Sequence, residues 1–163
     1  MALTPAERAA MIERYAGGPA LLRAALAKVP APARQWRPGP GKWSVHEVIV
    51  HCADSETNSH ARIRFLLTSD SPAIQAYDQD QWARRLDYHA LPLEPALATV
   101  EAVRANTVPV LRRMSEQDWR RVGTHPESGA YSAEDWLKVY AAHLEGHSRQ
   151  IERNLAEWKA RGE

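Results

Sequence analysis

The stretch "AEDWLKVYAAHLEGHSRQIERNLAEWKA", residues 133 to 160, has the pattern of one long amphipathic helix. Ser132 precedes it and Asp135 follows three residues later, which is close to a capping box and predicts that the helix begins here. Three apolar residues upstream of His143 fall within about 60° of it around the helix, namely Trp136, Val139 and Tyr140. We therefore expect His143 to face the core of the protein with them.

His143 and His147 stand four residues apart, which places them about 40° apart on a helix and lets both reach one ion from the same side. Such pairs also occur as ordinary core or surface histidines, and the H-E-x-x-H pattern of zinc proteases fails because Leu144 follows His143. Gln150 and Asn154 continue the same line within about 20°. A buried polar column of this kind needs partners, either a bound cation or a network of core hydrogen bonds.

A second long helix is predicted for "VHEVIVHCADSETNSHARIRFLL", residues 45 to 67. Ser44 and Glu47 form a capping box at its start and predict a helix of about 24 residues. Its buried stripe recurs at three-to-four spacing, at Val45, Val48, Cys52, Ser59, Ile63 and Leu66. His51 neighbours this stripe and is the candidate partner of the histidine pair.

Polar residues surround His51 on the predicted helix, with Asp54 and Asn58 within about 60° of it. Together with Gln150 on the last helix, they are candidates to accept the second imidazole N–H of a ligand or to orient a substrate. Hydrogen bonding along the helix face explains them equally well. Glu47 is interpreted as a capping residue rather than a general base.

The remaining histidines point elsewhere. His46 and His60 are rotated by about 140° and 180° from His51, so we expect both at the surface. His89 and His125 fall in predicted loops and are interpreted as structural. Three histidines from two helices with a vacant fourth position are the ligand set of a catalytic zinc or a related ion, whereas a structural site takes four protein ligands.

Glycine and proline divide the rest of the chain into further helices. Thr4 followed by Pro5 predicts a helix start, Gly17-Gly18 predict its end, and Pro19 predicts the next start. Residues 96 to 114 form another helical segment, which Pro109 should kink or divide.

Shorter elements connect these helices. The segment from Thr68 to Leu91 is expected to be a connector with a short helix around Asp80–Leu86, and the sequence leaves open whether it covers the site. Ser115 to Arg121 predict one helical turn, and residues 122 to 132 a loop. Because four long helical segments occur with almost no strand signal, the expected fold is an all-α, four-helix up-and-down bundle.

Composition limits the classes of protein that this chain can be. Its 163 residues predict a single helical-bundle domain over residues 1–163, and a net charge of +1 argues against a nucleic-acid-binding or membrane-docking surface. The single cysteine, Cys52, excludes an intramolecular disulfide and is expected to pack as a small hydrophobe. Without a signal peptide pattern or a membrane span, a cytoplasmic location is predicted.

Residues 38 to 82, "PGPGKWSVHEVIVHCADSETNSHARIRFLLTSDSPAIQAYDQDQW", and 125 to 151, "HPESGAYSAEDWLKVYAAHLEGHSRQI", resemble the DinB/YfiT-like family. The likeness spans about residues 15 to 158. It is greatest to the YfiT branch of metal-dependent hydrolases and bacillithiol transferases. The features that carry it include the loop before Trp43-Ser44, His51 with Ala53-Asp54-Ser55, Asn58-Ser59, Arg62, Tyr77-Asp78, Trp82 and the paired histidines.

The resemblance implies a four-helix bundle in which His51, His143 and His147 bind a divalent ion, zinc or alternatively nickel. It also implies a homodimer and a site open to solvent at one end of the bundle. The branch is often richer in histidine after the first paired residue, where this chain has Glu145, Gly146 and Ser148.

These observations predict a metal-dependent enzyme that acts on a small molecule. The metal would activate water, giving a hydrolase, or a low-molecular-weight thiol, giving a bacillithiol-type S-transferase. The sequence does not choose between them. The alternative is a non-catalytic dimeric bundle whose metal is structural or absent.

Overall fold

The computed structural model describes residues 2–161 and is dominated by four long helices. In chain order the elements are α1 (Pro5–Ala27), α2 (Ala31–Arg34), α3 (Val45–Thr68), α4 (Gln79–Arg85), a 3₁₀ turn (Tyr88–Ala90), α5 (Leu93–Leu111), α6 (Glu116–Trp119), β1 (Val122–His125), β2 (Gly129–Ser132) and α7 (Ala133–Ala160). The predicted all-α four-helix bundle is confirmed, with α1, α3, α5 and α7 as its helices.

Serine and threonine caps fix where these helices begin. The Ser44 hydroxyl accepts the N–H of Glu47, while the Glu47 carboxylate accepts the N–H of Ser44 at 2.9 Å. Ser132 and Asp135 make the same reciprocal pair at the start of α7. Both helix starts and the 24-residue length of α3 agree with the sequence prediction.

The order of helices around the bundle brings distant parts of the chain together. Helix α1 packs mainly against α7 and α5, and α3 packs against α5 and α7. The first two long helices, α1 and α3, therefore lie on a diagonal of the bundle. As a result α3 contacts α7, which follows it by more than sixty residues.

The buried interior consists of two apolar clusters with charged residues between them. One cluster includes Leu22, Ile49 and Leu144, and the other is built around Tyr15 and Trp136. The predicted stripe of α3 is buried throughout, at Val45, Val48, Cys52, Ser59, Ile63 and Leu66. Two buried charged side chains, Glu56 of α3 and Arg104 of α5, separate the clusters.

The prediction that Gly17-Gly18 end the first helix is wrong, because α1 continues through both glycines and through Pro19. A Cβ on Gly18 would lie 2.5 Å from Nη1 of Arg104, so the glycine allows α1 to approach α5 closely. Pro19 has no N–H to donate to the carbonyl of Tyr15, and Nη1 of Arg104 donates to that carbonyl instead. Gly18 and Pro19 would weaken an isolated helix, but here the contacts that they allow with Arg104 hold α1 against α5.

The prediction of a loop over residues 122 to 132 is also wrong, since this segment forms an antiparallel hairpin. Each strand has only four residues, too few for a clear alternating pattern. The hairpin is held by a neighbouring segment, because the Ile74 N–H donates to the Thr124 carbonyl at 2.8 Å and the Thr124 N–H donates to Pro72 at 2.9 Å. A Cβ on Gly123 would lie 2.5 Å from the Pro72 carbonyl oxygen, so glycine permits this contact.

Smaller predictions have mixed outcomes. The short helix near residues 80 to 86 and the turn after Ser115 are present. Pro109 lies in the last turn of α5 and does not divide it. Val139 does not face the core with Trp136 and Tyr140, because it is 51% exposed at the edge of the buried face. Across residues 2–161, none of the helices has the length and apolar character needed to cross a membrane.

Candidate metal centre

Helices α3 and α7 bring three histidines together, His51 from the first and His143 and His147 from the second. One ring nitrogen from each lies within 4.8 Å of the others. The ring centroids are 4.6 Å apart for His143 and His147, and 4.9 and 5.6 Å from His51 to His147 and His143. The three residues singled out from the sequence are therefore neighbours in space.

Burial keeps the imidazoles of His51 and His147 uncharged. Burial and the nearby His147 and His143 lower the pKa of His51 to about 2. Burial and the neighbouring His143 lower the pKa of His147 to about 4. Both rings are therefore neutral at pH 7 and carry a lone pair. The buried Nδ1 of His51 has no hydrogen-bond partner among the described residues.

The other two histidines have one nitrogen engaged and one available. Nδ1 of His143 lies 3.3 Å from Oε1 of Glu56, and Nδ1 of His147 lies 2.9 Å from Oε1 of Gln150. Since these oxygens accept hydrogen bonds, each Nδ1 carries the proton and each Nε2 offers its lone pair. Three imidazoles close together, with the orphaned nitrogen of His51, fit a divalent cation such as zinc or nickel.

Sequence reasoning missed Glu56, which connects this cluster to the bundle interior. Glu56 is fully buried, and Nη2 of Arg104 donates to its Oε1 at 2.6 Å. Burial raises the pKa of Glu56, but the His143 hydrogen bond and the charge of Arg104 outweigh it, so the net pKa is lowered. An ionised Glu56 fixes the proton of His143 on Nδ1 and orients the ring.

A signal for this pair was present in the sequence. Glu56 lies between Cys52 and Ser59 on the apolar stripe of α3, and Arg104 lies between Val100 and Thr107 at the same spacing on α5. Two opposite charges on the buried faces of two helices predict an interior ion pair. Only the fold shows that a histidine shares the carboxylate.

The structure separates the three polar candidates proposed beside the cluster. Gln150 contacts His147 directly. Asp54 instead accepts a hydrogen bond from the Tyr88 hydroxyl at 2.5 Å, and Asn58 donates to the backbone carbonyl of Asp54 at 2.8 Å. Asn58 therefore bonds along its own helix, whereas Asp54 connects α3 to the 3₁₀ turn.

The other histidines and the cysteine are placed as follows. His46 was expected at the surface but is buried, because the chain around Leu91 covers it and offers a carbonyl at 2.8 Å. His60 was also expected to be exposed but is half-buried against Thr107 of α5. Cys52 is fully buried as expected, and burial raises the pKa of its thiol. Buried and protonated, this thiol is a poor nucleophile.

A cavity of about 290 Å³ opens onto the three histidines. The bundle contributes Ser55, Arg62 and Tyr140 to its walls, together with the exposed Val139. Its outer wall comes from Ala76, Tyr77 and Gln79 of the connector and from His125 and Glu127 of the hairpin. Part of the segment from Thr68 to Leu91 thus lies over the site, and His125, interpreted as structural, lines the cavity.

The sequence matches the DinB superfamily over residues 14–151, most of the chain. The chain belongs to the DinB superfamily. The resemblance recognised in its motifs is therefore confirmed.

Relatives of this DinB chain share a common description. This chain is 38% identical to a "putative metal-dependent hydrolase" of Oceanobacillus iheyensis, over 68% of this chain and 64% of the relative. It is 32% identical to a second "putative metal-dependent hydrolase", from Geobacillus thermodenitrificans, over 68% of this chain and 63% of that relative. The match thus spans slightly less than two thirds of the length of these relatives.

Solved four-helix-bundle structures agree with the fold. Bacillus subtilis YfiT, described as "a probable metal-dependent hydrolase with an unusual four-helix bundle topology", superposes with a TM-score of 0.88 at 25% identity, covering 94% of this chain and 88% of YfiT. The four-helix bundle protein TT2238 superposes with a TM-score of 0.63 at 22% identity, covering 90% and 98%. The fold of this DinB chain is that of YfiT.

Proposed function

We propose that this protein is a divalent-metal-dependent hydrolase in which His51, His143 and His147 hold the metal. When bound, a divalent cation supplies Lewis-acid chemistry that lowers the pKa of a water ligand from 15.7 towards about 7. The observation that carries the proposal is the convergence of three histidine ring nitrogens within 4.8 Å of one another beside a cavity. The names of the relatives support hydrolysis.

The residues of the chain have distinct parts in this proposal. Glu56 and Gln150 hold the Nδ1 protons of His143 and His147, so that both rings present Nε2 to the cavity. The connector and the hairpin narrow the opening and reduce the access of bulk water. Only three protein ligands are close together among residues 2–161, which leaves room for an exchangeable ligand.

S-transfer from a low-molecular-weight thiol is the second candidate, because an open position beside three imidazoles also accepts a thiolate. We propose zinc as the native metal and nickel as the alternative. The third possibility, a bundle without catalytic activity, is separated from both by activity assays.

The test begins with protein expressed without added nickel and without a metal-affinity column. Elemental analysis should find about one equivalent of zinc. His51→Ala should lose this metal, whereas His46→Ala, which changes another buried histidine on the same helix, should retain it. Metal bound at full occupancy in His51→Ala would refute the ligand set.

Activity assays then assign the reaction. Metal-dependent turnover of small esters or amides without added thiol supports the hydrolase. Metal-dependent conjugation of a thiol to monobromobimane supports the transferase instead. No activity in either assay with metal bound would leave a metal-binding bundle and refute the enzyme proposals.

The domain organisation, oligomeric state, location and partners of the chain are further proposals. We propose a single domain over residues 1–163 that forms a homodimer, acts on a small molecule in the cytoplasm and binds neither nucleic acid nor membrane. Light scattering of the purified protein tests the dimer, since a monomer mass at micromolar concentration would contradict it.

A further inference from the structure

Arg62 stands in the wall of the cavity beside the three histidines. Its Nη1 donates to the Tyr140 hydroxyl at 3.2 Å and its Nη2 donates to the Gln75 carbonyl at 2.6 Å. The buried Nε has no partner among the described residues. These contacts hold the guanidinium in place and leave three of its five N–H donors unused.

No carboxylate among residues 2–161 forms an ion pair with Arg62. Arg62 is half-buried, and the two fully buried arginines, Arg8 and Arg104, each pair with glutamate. Asp54 is engaged by Tyr88, and Glu127, although it lines the same cavity, is exposed in the hairpin turn. Within the described part of the chain, no carboxylate therefore compensates the positive charge of Arg62.

Hydroxyl groups extend this cationic wall. Ser55, Tyr77 and Tyr140 line the same cavity, and the guanidinium carbon of Arg62 lies 6.0 Å from the centre of the Tyr77 ring. Burial raises the pKa of Tyr77 to about 12 and also raises that of Tyr140, so both phenols remain protonated donors at pH 7. The wall thus presents one guanidinium and several hydroxyls.

We propose that Arg62 and these hydroxyls bind a carboxylate of the substrate. The reacting group, at the other end of the substrate, then faces the three histidines. The substrate class is accordingly a small carboxylic acid that carries an ester, amide or thiol at its other end. A carboxylate is favoured over a phosphate dianion because the wall offers a single positive charge and a planar fork that matches two carboxylate oxygens. The inference rests on the proposed function, since it assigns the substrate of that site.

The experiment measures ligand binding rather than turnover. Cobalt-substituted protein is titrated with mercaptoacetate, mercaptopropionate and mercaptobutyrate, and with the methyl ester of each, while the thiolate-to-cobalt absorption is followed. Each acid differs from its methyl ester only in charge and in one methyl group. The ratio of the two Kd values therefore isolates the contribution of the carboxylate to binding. In the unmodified protein at least one acid should bind about tenfold or more tightly than its ester.

Two variants locate the effect. Arg62→Gln should bring the ratio close to one with metal content unchanged, and Arg62→Lys should retain part of the preference. Arg64→Gln is the matched control, because Arg64 lies on the same helix, does not line the cavity and donates to backbone carbonyls of His60 and Asn106. It should keep the full preference.

The results that overturn the inference are separate from failure of the proposed function. A ratio near one for all three pairs in the unmodified protein overturns it, as does a preference that survives in Arg62→Gln. Metal content, measured first, tests the function by itself.

If no cobalt binds, NMR titration of the metal-free protein with butyrate replaces the absorption assay, and an unshifted Arg62 Nε–H signal overturns the inference. A larger shift with inorganic phosphate than with butyrate overturns the assignment to carboxylates.

Discussion

Helix α3 carries two buried carboxylates, and each lies close to an arginine and a histidine. At its start, Glu47 accepts hydrogen bonds from Arg37 and lies 3.5 Å from Nε2 of His89, a set that we call the N-terminal triad. In its middle, Glu56 contacts Arg104 and His143, which we call the central triad. The same three chemical groups therefore occur twice on one helix.

The two triads differ in burial and in what else they touch. The side chain of Arg37 is 55% exposed, whereas that of Arg104 is 1% exposed. Glu47 also caps the backbone N–H of Ser44, and His89 contacts the Ser44 hydroxyl at 2.8 Å. His143 instead faces two other histidines. The N-terminal triad fastens a loop to a helix start, and the central triad supports the candidate metal centre.

The largest contrast is expected for the histidines of the two triads. His143→Ala removes one of three proposed ligands and should weaken metal binding by more than about a hundredfold, since even supporting residues contribute ten- to a hundredfold. His89→Ala should leave metal affinity unchanged. Metal content after dialysis against a weak chelator measures both, and equal losses would mean that the metal is bound elsewhere.

The arginines should differ in their effect on stability. Arg104→Met leaves Glu56 as an uncompensated buried charge and should lower the free energy of unfolding by about 3–5 kcal/mol. Arg37→Met removes a solvent-exposed partner and should cost less than about 1 kcal/mol. Urea unfolding followed by circular dichroism measures both variants. Similar losses for the two would contradict the difference in burial drawn between the triads.

The carboxylates test which triad supports metal binding. Glu56→Gln keeps the shape of the side chain but weakens its hold on the Nδ1 proton of His143, so metal affinity should fall by about ten- to a hundredfold. Glu47→Gln is the matched control and should bind metal as the unmodified protein does. Competition with a chromophoric chelator gives the two affinities, and an unaffected Glu56→Gln would show that His143 needs no such partner.

The smallest effect concerns pH and the N-terminal triad. Burial raises the pKa of Glu47, but hydrogen bonds from Arg37 and Ser44 outweigh it and hold the pKa below the ordinary value of 4.5. The ionised carboxylate therefore stabilises the fold above pH 4.5, and this contribution is lost as pH falls through the lowered pKa. The free energy of unfolding of Glu47→Gln should be about 1 kcal/mol below that of the unmodified protein at pH 7. This difference between the two proteins should shrink below pH 4.5. A difference that is constant between pH 7 and pH 3 would contradict this linkage.

The comparison also shows why the capping role of Glu47 was anticipated and the role of Glu56 was not. Glu47 stands three residues after Ser44, and a capping box is a local feature that four consecutive residues define. Glu56, Arg104 and His143 come from three helices. The spacing on α3 and α5 indicates that the first two are buried, but nothing in the sequence specifies that His143 shares the carboxylate. The same limit explains the misplacement of His46, which a distant stretch of chain near Leu91 covers.

The starts of α3 and α7 and the buried stripe of α3 could be determined from the sequence by itself, because they depend on local spacing. The motifs also indicated the family and the three histidines of the candidate centre. Only the tertiary structure decided that α1 runs through Gly18 and Pro19 and that the hairpin lies over the site. It also placed Arg62 in the cavity wall, where the guanidinium pairs with no carboxylate of residues 2–161. In each case packing between remote segments supplies contacts that outweigh a local preference. Those contacts have no counterpart in the sequence until the helices are in place.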